Sequence, residues 1–261
     1  MMNENYFHVD AFIGEGLRGN PAGVCLLKQS LETAQMQAIA NELSLPETSF
    51  VWEDGDMHAI RWFTPTREVD LCGHATLATA YVLLNVINPA LSDIRFRSAS
   101  GELYVKRDAA HGERLILDFP SRPPQRIAEP PRLAALLGVQ PQEVWQAQSM
   151  MVVLADEAQV RALQPDIPAL IDQVGCGVIV TAPGENVDFV SRYFSLDRSE
   201  DPVTGSAHCI LLPYWTARLG RHELHAKQLS SRGGELFCEL KGERTLLGGK
   251  ARIFLRGTIS G

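Results

Sequence analysis

Three places in the chain carry residue types able to move a proton or hold an anion. Glu47 follows Pro46 and leads into Thr48-Ser49-Phe50. A carboxylate there can take a proton as general base and return it as general acid. Cys72-Gly73-His74 stands before an apolar run, Ala75 to Leu84, and Asp201-Pro202-Val203-Thr204-Gly205-Ser206 stands before another. The first turn of a helix leaves backbone N–H groups unpaired, so both entrances favour a carboxylate or phosphate.

Each of these residues also has a plainer reading. Glu47 alone reads as an exposed carboxylate at a strand end, whereas the apolar continuation Phe50-Val51-Trp52 argues for partial burial, which favours the protonated acid. Cys72 is either an acid/base thiol activated at a helix N-terminus or a small buried residue beside a tight turn. His74 is a proton donor or anion contact, or only a cap, and Asp201 alone reads as a helix cap.

Two further readings fail on context. Cys72 and His74 are too few to hold a metal, with no third and fourth ligand nearby at finger-like spacing, and no metal is expected. As a nucleophilic pair they are doubtful, because side chains two apart at a helix entrance should diverge. Gly14-Glu-Gly16-Leu-Arg-Gly19 matches G-x-G-x-x-G letter for letter. That fingerprint needs a helix behind it, and strand-like Asn20 to Leu27 follows instead, so the segment is a turn between strands.

The elements that must position these residues follow from periodicity. Tyr6 to Ile13 and Ala22 to Leu27 read as strands, and Ser30 can cap a helix whose apolar positions are Met36, Ile39, Ala40 and Leu43. Glu47 to Trp52 and His58 to Phe63 form a hairpin around Asp54-Gly55-Asp56. Short strands follow at Ile94 to Ser98, Glu102 to Arg107 and Arg114 to Phe119. Pro120 to Arg126 with Pro130-Pro131 reads as a linker too proline-rich for any regular element. Beyond it come a short helix ending at Gly138, strands over Val144 to Leu154, and a helix opened by Asp156 with Gln159. Strands at Val178 to Ala182 and Val187 to Ser195 precede the second entrance. Pro213 should kink or end the helix behind it. Strands at Leu224 to Leu229, Glu235 to Leu240 and Lys250 to Leu255 complete the chain. Ala75 to Leu84 is apolar on nearly every face, so a sheet must enclose it.

The two entrances are copies. Arg61, Phe63, Arg67 and Asp70 recur as Arg192, Phe194, Arg198 and Asp201, each 131 positions on. Ser98, Gly101, Glu102 and Leu103 recur as Ser231, Gly234, Glu235 and Leu236, each 133 positions on. A tandem duplication within 261 residues predicts two domains, 1–120 and 121–261, with the last strand able to cross back to the first. Packed about a pseudo-twofold axis, they would bring two helix N-termini, His74, Asp201 and Ser206 to one cleft.

Composition narrows the class. A net charge of −7 without a long Lys/Arg run argues against a nucleic-acid surface, while leaving a small acidic ligand possible. Five dispersed cysteines argue against a disulfide framework and for a reducing, cytoplasmic setting. The N-terminus lacks the basic and apolar regions of a signal peptide, and the longest apolar stretch is too short for a bilayer, so no membrane partner is expected.

Four segments carry a family resemblance: Gly19-Asn-Pro-Ala-Gly23, Glu47-Thr-Ser-Phe50, Phe63-Thr-Pro-Thr with Glu68-Val-Asp-Leu-Cys-Gly-His-Ala-Thr76, and Glu200-Asp-Pro-Val-Thr-Gly-Ser-Ala207. In order across both halves, they resemble the PhzF-like isomerases of phenazine biosynthesis, relatives of diaminopimelate epimerase. The resemblance implies an α+β, diaminopimelate-epimerase-like fold: two pseudo-symmetric domains, each a mainly antiparallel sheet wrapped around a central apolar helix, with the active site in the cleft. It implies an isomerase without cofactor, a homodimer, and a small carboxylate-bearing substrate. Glu47 would move the proton, with His74 and Asp201 as its catalytic companions; Gly73, His74, Gly205, Ser206 and Asn20 would bind substrate. The two-cysteine epimerases place a thiol at each entrance. Here the second has Asp201-Pro202-Val203, and Cys209 lies inside the helix, which favours the isomerase branch. The alternatives are an amino-acid epimerase or racemase using Cys72 as acid/base thiol, and a non-catalytic metabolite-binding protein.

Overall fold

The computed structural model describes residues 3–260; Met1, Met2 and Gly261, and with them the start of the stretch tested for a signal peptide, lie outside it. The chain divides into two compact units, one running to Asp118 and resuming at Gly248, the other spanning Phe119–Leu247. Among the described residues no helix is long and apolar enough to cross a membrane.

The first unit begins with β1 (Asn3–Ile13) and β2 (Asn20–Leu26), then α1 (Thr33–Leu43), β3 (Glu47–Asp54), β4 (Met57–Phe63) and the two-residue β5 (Glu68–Val69). After α2 (Gly73–Val82) and a π-helical turn over Leu83–Ile87 come β6 (Asp93–Ser98), β7 (Gly101–Arg107) and β8 (Leu115–Pro120). The glycine-rich segment is the turn of the β1–β2 hairpin, bridged Gly14 to Leu17, as its context predicted. Ser30 does not cap α1: its hydroxyl bonds the Leu31 carbonyl, and the cap falls on Glu32, whose N–H reaches Gln35 at 3.2 Å. The expected hairpin forms, Glu53 opposite His58.

The second unit holds β9 (Gln125–Ile127), α3 (Leu133–Leu137), β10 (Glu143–Gln146), β11 (Met150–Val153), α4 (Glu157–Ala162) and α5 (Ile167–Val174). It continues with β12 (Val178–Pro183), β13 (Phe189–Phe194), α6 (Gly205–Leu219), β14 (Glu223–Gln228) and β15 (Gly234–Lys241). The final strand, β16 (Arg244–Ser260), returns to the first unit and runs antiparallel to β1, Tyr6 opposite Gly257. Strand order β1-β2-β3-β4-β6-β7-β8-β16, closed by β16 on β1, makes a ring. α2 is the helix it encloses: His74 to Ala80 and Val82 are all buried. Its two threonines bond within the helix, Thr76 Oγ1 donating to the Cys72 carbonyl at 2.6 Å and Thr79 Oγ1 to the Ala75 carbonyl at 2.8 Å.

Three sequence expectations need correction. The proline-rich linker contains β9, because prolines flank Gln125–Ile127 without entering it. The helix α5 was not among the expected elements; its Pro168 fits the first helical turn, and Asp166 caps it by accepting from Ala169 N at 3.1 Å. Pro213 does not end α6, which runs on to Leu219. The Cys209 carbonyl, one turn before the proline, accepts instead from Arg122 N at 2.9 Å.

Both units carry the duplication in their topology. In the first, β2 pairs parallel with β3 across α1, β3 pairs antiparallel with β4, and β4 pairs parallel with β6 across α2. In the second, β11 and β12 are parallel across α4 and α5, β12 and β13 antiparallel, and β13 and β14 parallel across α6. Mixed pairing therefore sits inside sheets that are otherwise antiparallel. The repeated Arg-x-Phe keeps its geometry: Arg61 lies over Phe63 and Arg192 over Phe194, each at 5.2 Å, and the two arginines pair with Glu68 and Glu200.

Candidate active site

Parallel pairing of β2 with β3 sets Ala22 beside Glu47, so Asn20, at the start of β2, comes to the same end of the sheet as the carboxylate. The left-handed Gly19 directs the chain into β2; a Cβ there would meet the Ala11 carbonyl oxygen at 2.3 Å, so no other residue fits. Cys72 is the N-cap of α2 in extended conformation, and Gly73 and His74 form its first turn.

These elements bring three predicted residues, Glu47, Asn20 and Cys72, around the imidazole of a fourth, His74. His74 Nε2 lies 3.3 Å from Glu47 Oε2. On the opposite side, Nδ1 is 3.2 Å from Asn20 Nδ2 and 3.4 Å from Cys72 Sγ. The expectation that Cys72 and His74 diverge is therefore wrong. Cys72 is in extended conformation before the helix, which turns its thiol back toward the ring. The Glu47 side chain is about one-fifth exposed, so it is the member open to a ligand.

Burial controls the charge of the ring. It pushes His74 down to about 3, opposed only by the Pro21 carbonyl, so the imidazole is neutral at ordinary pH. A neutral ring has one donor and one acceptor. With the proton on Nε2, Asn20 donates to Nδ1 and Nε2–H faces an ionised Glu47. With the proton on Nδ1, the Nε2 lone pair faces a protonated Glu47. Each tautomer matches one state of the carboxyl group.

Glu47, Cys72 and His74 also bring three ligand-type atoms within 4.8 Å of one another, nearer than spacing had indicated. Glu47 and Cys72 face different ring nitrogens, so one ion cannot take all three with the imidazole as placed.

The second entrance is built differently. Thr204, and not Asp201, is the N-cap of α6. Asp201 lies three residues upstream, half-buried, and its Oδ2 accepts from Thr204 Oγ1 at 2.5 Å. Gly205 is buried in the first turn, while Ser206 is exposed. Gln228, fully buried on β14, bonds to the Thr204 N–H, the Thr204 hydroxyl and the Asp201 carbonyl. Sequence reading missed Gln228 altogether, since a glutamine in a strand carries no local signal, and Thr204 was open to detection only as a favoured cap type. Cys209 is no thiol partner: it is buried within α6, and burial pushes it up to about 12.

Comparison with known proteins agrees with this architecture. A solved hydroxyproline epimerase from Agrobacterium vitis superposes with a TM-score of 0.62 over 98% of this chain and 92% of its own at 10% identity, a likeness of fold alone. The fold is thus of the epimerase-like α+β class. Residues 9–257 match the model of the phenazine biosynthesis-like protein family, PhzC-PhzF. An uncharacterized isomerase of Pseudomonas aeruginosa is 46% identical over 99% of both chains. A PhzF-family crystal structure from Enterococcus faecalis has a TM-score of 0.95, 46% identity, and covers 99% of this chain and 100% of its own. The chain belongs to the PhzC-PhzF family and is an enzyme of the isomerase class.

Proposed function

We propose that the protein is a cofactor-independent isomerase that moves a proton between carbon positions of a small carboxylate-bearing metabolite, with Glu47 as base and then acid. The observation that carries this is the Glu47–His74 contact at 3.3 Å, with the ring held neutral by burial. A base that must return its proton elsewhere on the substrate needs a partner content with both of its protonation states. A neutral imidazole that can exchange tautomers is such a partner. Positioned acid/base groups contribute about 10²–10⁴-fold, and donors aimed at developing negative charge about 10²–10³-fold. The first turn of α2, with Gly73 N–H, is the donor set beside Glu47. Asp201, Gly205 and Ser206 enter as substrate contacts on the resemblance and the duplication.

The test is deuterium wash-in from D₂O, screened over 2-amino and dienoic carboxylic acids. The unaltered protein should exchange at least one acid, and Glu47→Gln should lose at least about 10²-fold. Full exchange persisting in Glu47→Gln removes Glu47 from the mechanism. A second reading, an epimerase using Cys72 with a non-thiol partner, draws on the thiol 3.4 Å from His74 Nδ1. Loss of turnover in Cys72→Ser while Glu47→Gln stays active would replace the first reading with it.

A further inference from the structure

The hydrogen bonds around Gln228 leave only one way to place their protons. The Thr204 backbone N–H can only donate, so the Gln228 atom 2.9 Å from it must be the carbonyl oxygen, Oε1. That leaves Nε2, a donor, facing the Asp201 backbone carbonyl at 2.8 Å, which can only accept. The two backbone groups thus agree on the sense of the amide. Nε2 also lies 3.1 Å from Thr204 Oγ1, so this hydroxyl oxygen accepts from Gln228. Its own hydrogen is then free for Asp201 Oδ2, 2.5 Å away. Gln228 is fully buried and Thr204 nearly so, which keeps water from the bonds between these two residues. Ser230 Oγ donates to the Pro202 carbonyl at 2.8 Å, tying the following loop to the same turn.

We infer that Gln228 and Thr204 are positioning residues that orient the Asp201 carboxyl group and hold a hydroxyl donor against it, which favours its charged form. The direction of the relay is set by the backbone and runs from Gln228 through Thr204 to the carboxylate. Asp201 held in this way is suited to accept from an amino, hydroxyl or ammonium group of a ligand. Its bearing on turnover rests on the proposed role of Asp201 as a substrate contact; the relay itself does not.

The experiment is carbon-13 NMR of the full chain labelled at aspartate carboxyls, without ligand, with the Asp201 signal assigned by its loss in Asp201→Asn. Thr204→Val removes the hydroxyl and should raise the pH midpoint of that signal, since the donor favours the charged form. Thr204→Ser keeps the hydroxyl and should restore the midpoint. Gln228→Met, close in shape but without the amide, should raise the midpoint in the same direction, and add nothing on top of Thr204→Val. Tyr193, which senses the Asp201 charge, and the adjoining Arg192–Glu200 pair are unchanged in all these variants. An unmoved midpoint in Gln228→Met, or a shift that adds to that of Thr204→Val, overturns the relay. Should Gln228→Met fail to fold, the unaltered protein decides. Cross-peaks between the Thr204 hydroxyl proton and the Gln228 amide protons support the relay, and a Gln228 amide showing none refutes it. Because no ligand is present, these outcomes stand apart from the role of Asp201 in turnover, which fails separately if Asp201→Asn keeps full deuterium wash-in, and from the function itself, which is tested at Glu47.

Discussion

The two buried histidines, His74 and His208, are neutral for the same reason: each loses its water and gains too little in exchange. His208 Nδ1 is bonded to the Thr204 carbonyl at 2.8 Å and its Nε2 has no hydrogen-bond partner; burial pushes it down to about 4. On unfolding, both recover the ordinary value near 6.5. Below that pH the unfolded chain binds protons that the fold refuses, so stability is full above about 6.5 and falls as pH drops toward 4. With two residues the slope approaches about 3 kcal/mol per pH unit. Urea midpoints between pH 4.5 and 8 should show it, and His208→Gln should remove about half. At the active site, the tautomer argument predicts that nitrogen-15 shifts of His74 move its proton from Nε2 to Nδ1 as Glu47 is protonated; a ring that keeps one tautomer through that titration would exclude it as the partner of a base turned acid.

Among the elements, α6 shows how a rule of local structure is overridden. Proline inside a helix ordinarily costs about 3 kcal/mol, through a lost hydrogen bond and a clash with the preceding turn. Here the bond is not lost, because the Cys209 carbonyl has Arg122 N as its partner at 2.9 Å. Pro213→Ala should therefore change stability by less than about 1 kcal/mol in chemical denaturation. A gain near the full helical penalty would show that the Arg122 bond replaces little. The contrast with α2 is informative. That helix has no polar face and no proline, its apolar character alone demanded enclosure, and a closed ring of strands supplies it.

On the scale of the whole molecule, duplication allows one interaction to be weighed in two settings. Arg61 and Glu68 are about one-third exposed, whereas Arg192 and Glu200 are largely covered, and Arg192 also donates to the Val160 and Leu163 carbonyls. An exposed pair contributes 0 to about 1 kcal/mol, and breaking a buried one costs about 3–5. Arg61→Ala should thus cost at most about 1 kcal/mol and Arg192→Ala several times more, each read from the unfolding of its own unit. Equal losses would mean that the two copies bear the same load despite their different burial.

Much of this was legible in the chain. Repeated Arg-x-Phe and Ser-x-x-Gly-Glu-Leu segments disclosed the duplication, an all-apolar helix required a surrounding sheet, and the motif residues Asn20, Glu47, Cys72 and His74 do meet around one ring. Those properties depend on residue type and local spacing, which sequence contains. The convergence of Cys72 on His74 depended on the extended backbone of a helix cap. The helix through Pro213 depended on a donor ninety-one positions away, Arg122. Gln228 acquired its place only when β14 paired in parallel with β13, beside the entrance of α6. Hydrogen-bond sense, burial and ring charge are properties of neighbours in space, and the tertiary structure alone decides who those neighbours are.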